Sequence, residues 1–283
     1  MKAYISVDLE GVNGISHSSQ TQPTESGYQR GIDLMHRETN AVIEGLLEGG
    51  VDQIVVNDSH WDMRNLNIEK LAGGEKVSIR SGWQKPFSMV SGLTESENKP
   101  DFAVFLGYHA MAGHPTGVLS HTYRAQIFLQ VKINGTEVGE TGLNAALAGT
   151  CGVPVALVTG DDIVLAEART LLGKVHTAQV KTAVSRYSAV FPAYEATLAN
   201  LKQRAKEAAR DKSYWQLYKV SEPVELAITM YCPTMADAAE LLPDVRRVDG
   251  RTVVIEAKSY QQAFKLMLAA GALGASRKDP HFS

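Results

Sequence analysis

Cysteine is scarce in this sequence: 283 residues hold two, Cys151 and Cys232, far apart and each in an apolar setting. That argues against a disulfide framework and a thiolate zinc site, and it fits a reducing compartment. Long apolar runs are lacking as well. The longest, Leu266 to Ala275, falls far short of the ~18 residues a membrane span requires. Asp8 and Glu10 also arrive before any apolar stretch long enough for a signal peptide. The expectation is a soluble, cytoplasmic protein. Excess charge of one sign is missing too: 28 Lys and Arg stand against 31 Asp and Glu, a net charge of −3 with no basic run. Nothing therefore supplies the phosphate-neutralising surface that a nucleic-acid partner needs. Gly11-Val12-Asn13-Gly14 is neither G-x-G-x-x-G nor a phosphate loop, which removes a nucleotide-binding reading.

What is present is the composition of an ordinary globular protein, 44% hydrophobic and 21% charged, with ample material for a core. Short β-branched or apolar runs alternate with helical patterns through the first two thirds, which predicts strand–helix units around a mostly parallel sheet. Strands are expected at Ala3 to Val7, Gln53 to Val56, Val77 to Ser81, Phe102 to Leu106 and Val155 to Val158. A helix is expected between Gly31 and Leu47, stopped by Gly49-Gly50. Ile127 to Val138 alternates about Asn134-Gly135, a two-residue hairpin signal, and leads into a helix over Thr141 to Gly149. Asp161 or Asp162 is placed to cap a helix ending near Leu172, His176 to Val180 reads as a strand, and Tyr194 to Arg210 as a long exposed helix. After Pro223 the pattern changes: strand Val224 to Thr229, helix Met235 to Leu242, a hairpin about Asp249-Gly250, and a final helix from Gln261. The fold class is thus α/β, with a mostly parallel central sheet flanked by helices over residues 1–190 and a smaller C-terminal α+β domain over residues 191–283.

Three segments place metal-capable side chains directly after an apolar strand. Asp8 and Glu10 follow Tyr4 to Val7, His60 closes Ile54 to Ser59, and His109 closes Ala103 to Tyr108. In an open parallel sheet, ligands bind beyond the carboxyl ends of the strands, so these segments are placed to converge. Asp8 and Glu10, two apart, project to one side of an extended chain and can offer carboxylates to one cation or two. For His60 the bland alternative is an ordinary loop histidine, with Asp58 either orienting it or making an Asx turn. His109 opens GYHAMAGHPTGVLSH, a loop that also carries His114 and His121; His114 is expected to bond only to backbone. Glu140 stands at a helix start, where the helix dipole favours a carboxylate anyway. Taken together, Asp8, Glu10, His60, His109 and Glu140 form a carboxylate and imidazole set without thiolate. Such chemistry suits zinc or manganese and is common in dinuclear hydrolases. His17, His36, His176 and His281 are expected to be surface or packing residues.

SVDLEG at Ser6 to Gly11, VNDSH at Val56 to His60, KPFSM at Lys85 to Met89, LGYHA at Leu106 to Ala110, LSH at Leu119 to His121 and GETGLNA at Gly139 to Ala145 resemble the D-aminopeptidase family of dinuclear zinc peptidases. The likeness continues through PVALVTGDD and VKTAVSR, in order, over residues 1–187. The resemblance implies two zinc ions per chain held by Asp8, Glu10, His60, His109 and Glu140, with His121 near them in catalysis. It implies hydrolysis of short peptides or amino-acid amides, D-amino-acid-containing ones among them, by a zinc-activated hydroxide. It also implies a ring-like homo-oligomer, a decamer, whose enclosed sites restrict substrates to short peptides. The loop between His109 and His121 is one residue longer than the family pattern, near His114-Pro115.

Other chemistry remains open on the residues alone. A similar metal set supports phosphoester or other amide hydrolysis, and Arg64, Lys85 and Arg124 are available near the motifs for a phosphate. A serine hydrolase using Ser59 or Ser120 with His121 lacks a G-x-S-x-G elbow. A non-catalytic ligand-binding or assembly protein on the same fold is a further alternative, opposed by the complete metal set.

Overall fold

Strands form where β-branched and aromatic residues lie between glycine or polar breaks. A computed structural model, which describes residues 1–95 and 99–277, turns these runs into a chain of β and α elements. In order they are β1 (Lys2–Val7), α1 (Tyr28–Glu48), β2 (Gln53–Asp58), β3 (Val77–Arg80), β4 (Phe102–Tyr108), β5 (Phe128–Ile133), β6 (Thr136–Glu137), α2 (Glu140–Thr150) and β7 (Val155–Asp161). There follow α3 (Asp162–Leu172), β8 (His176–Ser185), β9 (Ser188–Val190), α4 (Tyr194–Arg210), β10 (Val224–Met230), α5 (Pro233–Ala239), β11 (Val245–Arg247), β12 (Thr252–Ala257) and α6 (Tyr260–Ala275).

The first sheet runs β3-β2-β1-β4-β7-β8-β9 and is parallel throughout except for the β8–β9 hairpin. Its central strands β1, β4 and β7 are buried on both faces, as a sheet covered on both sides requires. Ala3, Ile5 and Val7 pack toward α1 and α4, while Tyr4 joins a second cluster with Phe105, Leu143 and Phe264 on the opposite face. The second sheet, β11-β12-β10-β5-β6, is antiparallel and lies against α5 and α6. A mostly parallel sheet flanked by helices, with a smaller antiparallel part, is the architecture the sequence predicts.

Several boundaries differ from expectation. β5 and β6 precede residue 190 yet belong to the second sheet, and α4 follows residue 190 yet packs on α1. The sheets therefore interleave along the chain, because local patterning marks an element but not the sheet in which it pairs. α4 is also not the exposed helix its charge suggests: Thr197, Leu201, Ala205, Ala208 and Ala209 are buried. Small alanines hide that face from a hydropathy reading. The short strand β9 has no counterpart among the expected elements, and α5 begins two residues before the expected Met235. No helix among the described residues is long and apolar enough to cross a membrane.

Candidate metal centre

Topology brings the site together. β2, β1 and β4 are adjacent and parallel, with Val7 level with Asp58 on one side and Leu106 on the other. Side chains just past these strand ends therefore share one edge of the sheet, a strand spacing of ~5 Å apart. Asp8 stays in register through its N–H, which donates to the Leu106 carbonyl at 2.8 Å, and Ser59 N–H donates to the Val7 carbonyl at 2.8 Å. Gly11 is glycine for a steric reason: a Cβ there would stand 2.0 Å from the Tyr108 carbonyl oxygen. The turn carrying Glu10 thus lies flush against the turn carrying His109. The fourth contributor, Glu140, is the first residue of α2 and is buried, facing inward.

All six expected site residues meet here. Asp8 divides its oxygens between two histidines: Oδ1 lies 3.3 Å from His60 Nδ1, and Oδ2 lies 3.4 Å from His109 Nε2. Glu10 Oε2 joins the first side, 3.0 Å from His60 Nδ1, and Glu140 Oε2 the second, 3.3 Å from His109 Nε2. His121 stacks on His109 with ring centroids 4.0 Å apart, and its Nε2 lies 3.7 Å from Glu140 Oε1. Each imidazole turns its other nitrogen to a backbone carbonyl: His60 Nε2 to Thr21 at 2.7 Å, His109 Nδ1 to Ala110 at 3.0 Å, His121 Nδ1 to Leu119 at 2.9 Å. Those bonds fix ring orientation and leave an inward nitrogen lone pair, the arrangement of metal-ligating histidines.

Electrostatics point the same way. Burial and the neighbouring Glu10 carboxylate push Asp8 up to about 7. Burial also opposes charge on His109, but Glu140, Asp8 and Glu10 outweigh it and raise the imidazole to about 10. His121 is depressed instead, by burial and by His109 beside it. Asp8 Oδ2, Glu10 Oε2 and His109 Nε2 are buried with no hydrogen-bond partner among the described residues. Buried polar atoms left without partners are costly unless something satisfies them. A divalent cation does so, and the donor set of nitrogen and oxygen without sulfur fits zinc. Two groupings, Asp8 with Glu10 and His109, and His109 with His121 and Glu140, hold their donor atoms within 4.8 Å of one another.

The remaining residues sort themselves. Asp58 does not touch the His60 ring; it accepts the Asn65 and Leu66 N–H groups at 2.6 and 2.7 Å and shapes the loop after His60. His114 Nδ1 accepts the Thr116 and Gly117 N–H groups, as expected of a residue serving backbone. His36 is buried against Ile32 and Asn67, His17 caps a turn, and His176 stacks on Tyr214. His281 lies outside the described residues. Ser59 bonds to Ser6, Asn57 and Met89, and Ser120 to Arg186, so neither hydroxyl is engaged by His121. Of the cations available for a phosphate, Arg64 pairs with Asp62 and Lys85 is turned onto the Asp58 and Arg80 carbonyls.

Some supporting residues escape a motif reading. Lys181 is fully buried, and its ammonium donates to the carbonyls of Glu10, Val12 and Ile15, pinning the turn that carries Glu10. Tyr123 N–H donates to Glu140 Oε1 at 2.6 Å, and the Tyr123 hydroxyl reaches Asn144. Among the described residues, four of the eight non-glycine positions with positive φ, Trp61, Met63, Leu119 and Tyr123, flank His60 or His121. Such backbone strain persists where packing over-determines it, and it gathers at functional sites. The signal in the sequence was faint: Lys181 sits inside VKTAVSR, but nothing in its spacing says that it is buried.

Comparison with known proteins identifies the family. The D-aminopeptidase family profile matches residues 1–269. A D-aminopeptidase of Bacillus subtilis (strain 168) is 38% identical over 271 residues, covering 95% of this chain and 96% of that protein. A solved structure of the Zn-dependent D-aminopeptidase DppA from Bacillus subtilis, described as a self-compartmentalizing protease, superposes with a TM-score of 0.93 at 35% identity, covering 99% of this chain and 100% of that one. The chain belongs to the D-aminopeptidase family of peptidases.

Proposed function

We propose that this protein is a zinc-dependent aminopeptidase that releases amino-terminal residues, D-residues among them, from short peptides or amino-acid amides, and that it holds two zinc ions per chain. The observation that carries the reading is the division of Asp8 between His60 and His109, with three buried polar atoms around it left without partners. Asp8 would be shared, with Glu10 and His60 holding one ion and His109 and Glu140 the other. With the imidazoles deprotonated to ligate metal, the three carboxylates would carry more negative charge than one divalent cation neutralises. Zinc held there would supply Lewis acidity to activate a water and polarise the scissile carbonyl.

The chain's own residues do the rest. His121, whose burial disfavours the imidazolium, offers Nε2 to take a proton from the attacking water or deliver one to the leaving amine. The Leu119 carbonyl at Nδ1 holds the ring in that orientation. Glu10, Glu140 or a bound metal would receive the substrate's free α-amine. The test is elemental mass spectrometry beside peptide turnover. Wild type should carry about two zinc ions per chain. His109→Ala should lose metal and activity together, whereas His121→Ala should keep its metal and lose ~10²–10⁴-fold in rate. Full metal and full rate in His109→Ala would remove that residue from the site.

The self-compartmentalizing relative supports an oligomer for this chain, a ring of ten being the form the family resemblance implies. Val184, Tyr187 and Val190 on the β8–β9 hairpin are each more than half exposed, an apolar surface that assembly would cover. The two free cysteines suit a reducing, cytoplasmic setting.

A further inference from the structure

One cation beside the centre takes no part in the zinc chemistry. Arg124 is three residues past His121, and the intervening Tyr123 is tied by its N–H to Glu140. Its own backbone is locked in a tight turn: its N–H donates to Thr122, and its carbonyl accepts from Ile127 and Phe128. The side chain runs over α6 at Gly271, where a Cβ would stand 3.1 Å from Arg124 Cδ, so a larger residue there would crowd the arginine stem. The guanidinium ends 5.4 Å from the centre of the Trp83 ring. Trp83 comes from the loop after β3, and that loop is fastened to the turn after His60: Gly82 N–H and Ser81 Oγ both donate to the Met63 carbonyl.

Strand order makes this contact informative. β3 and β4 are separated in the sheet by β2 and β1, the strands that end at His60 and Asp8. A side chain from the loop after β3 that meets one from the loop after β4 spans the carboxyl edge on which the centre stands. Among the described residues no carboxylate pairs with Arg124, and no acceptor bonds to its guanidinium. Arg64 and Arg80, by contrast, pair with Asp62 and Glu95. A half-buried guanidinium lying over an aromatic ring and lacking an acceptor is built to receive a planar anion, since its donors form a fork that matches a carboxylate.

We infer that Arg124, lying over Trp83, binds the carboxylate of the residue that leaves, and so sets a preference for short peptides whose free C-terminus lies next to the cleaved bond. The inference rests on the aminopeptidase reading and deepens it. An aminopeptidase needs only an α-amine and a carbonyl at its centre. A second anchor one residue further on distinguishes a dipeptide from an amino-acid amide and from a longer chain. The same fork would accept an acidic side chain at the leaving position, and substrate choice separates the two sources.

The experiment measures kcat/KM of zinc-loaded wild type and of Arg124→Leu, Arg124→Lys and Trp83→Leu. The substrates are D-Ala-D-Ala, D-Ala-D-Ala amide and D-Ala-D-Glu α-amide, whose γ-carboxylate is free, with thermal melts to show that each variant is folded. Wild type should favour the free dipeptide over its amide by ~10–100-fold, the worth of a charge-assisted pair. Arg124→Leu should bring that ratio close to one through KM, and Arg124→Lys, a point charge without the fork, should restore part of it. Preference for the Glu α-amide over the neutral D-Ala-D-Ala amide assigns the fork to an acidic side chain and overturns the inference of a C-terminal anchor. Wild type that shows no preference, or variants that lose both substrates in equal proportion, overturn the inference and leave the peptidase reading standing. Wild type that carries zinc and cleaves neither dipeptide nor amide overturns the peptidase reading itself.

Discussion

At the scale of single residues, the centre is a balance of buried charges. Glu38 on α1 shows the same physics outside the metal set. It is fully buried, its Oε1 accepts the Asn13 N–H at 2.8 Å, and its Oε2 has no partner among the described residues. Burial pushes its carboxyl up to about 7 from an ordinary 4.5, despite that N–H and the nearby Lys181 ammonium. The raised value favours the protonated form in the folded state. The cost of ionising it is therefore absent below pH 4.5, grows as pH climbs to about 7, and levels off above at ~3 kcal/mol. Urea midpoints of metal-free protein should fall between pH 5 and pH 8, and Glu38→Gln should fall less. Parallel profiles for the two proteins would mean that Lys181 keeps Glu38 charged throughout.

Elements set where those residues stand. Asp8, His60 and His109 were legible because each closes an apolar run, and a parallel sheet gathers strand ends at one edge. The hairpin at Asn134-Gly135 was equally plain, and both residues adopt the positive φ that such a turn demands. α4 was not legible as a packing element: its charges read as a solvated helix, while Leu201 and three alanines face α1 and the sheet. Leu201 has no exposed surface. Leu201→Ala should therefore cost ~2–5 kcal/mol by chemical denaturation, the value of a core truncation, whereas an exposed helix position would lose a few tenths. A loss under ~0.5 kcal/mol would restore the exposed reading.

At the scale of the whole molecule, two sheets share one continuous core in which Tyr4 and Phe105 of the first meet Leu226 and Phe264 of the second part. That shared core is the reason residue 190 does not divide the sheets, and it holds the turn that carries Tyr123 and Arg124 between them. The exposed apolar side chains of the β8–β9 hairpin belong to this scale as well. Light scattering should give a mass several times the 30.7 kDa chain, and Val190→Lys should lower that mass while leaving the monomer's far-UV spectrum intact. An unchanged mass would place the contact elsewhere.

Taken alone, the chain specifies the type and order of most elements, the family likeness, and the six residues of the candidate centre, because each of these is written locally: a strand with the polar residue at its end, a turn dipeptide, a short motif. Three-dimensional packing is what settles which oxygens face which imidazoles, that Lys181 is buried beneath the turn of Glu10, and that Trp83 meets Arg124 across the sheet edge. Those relations join residues as many as 171 positions apart. They depend on strand order and on the space left between packed faces, and no spacing along the chain encodes either.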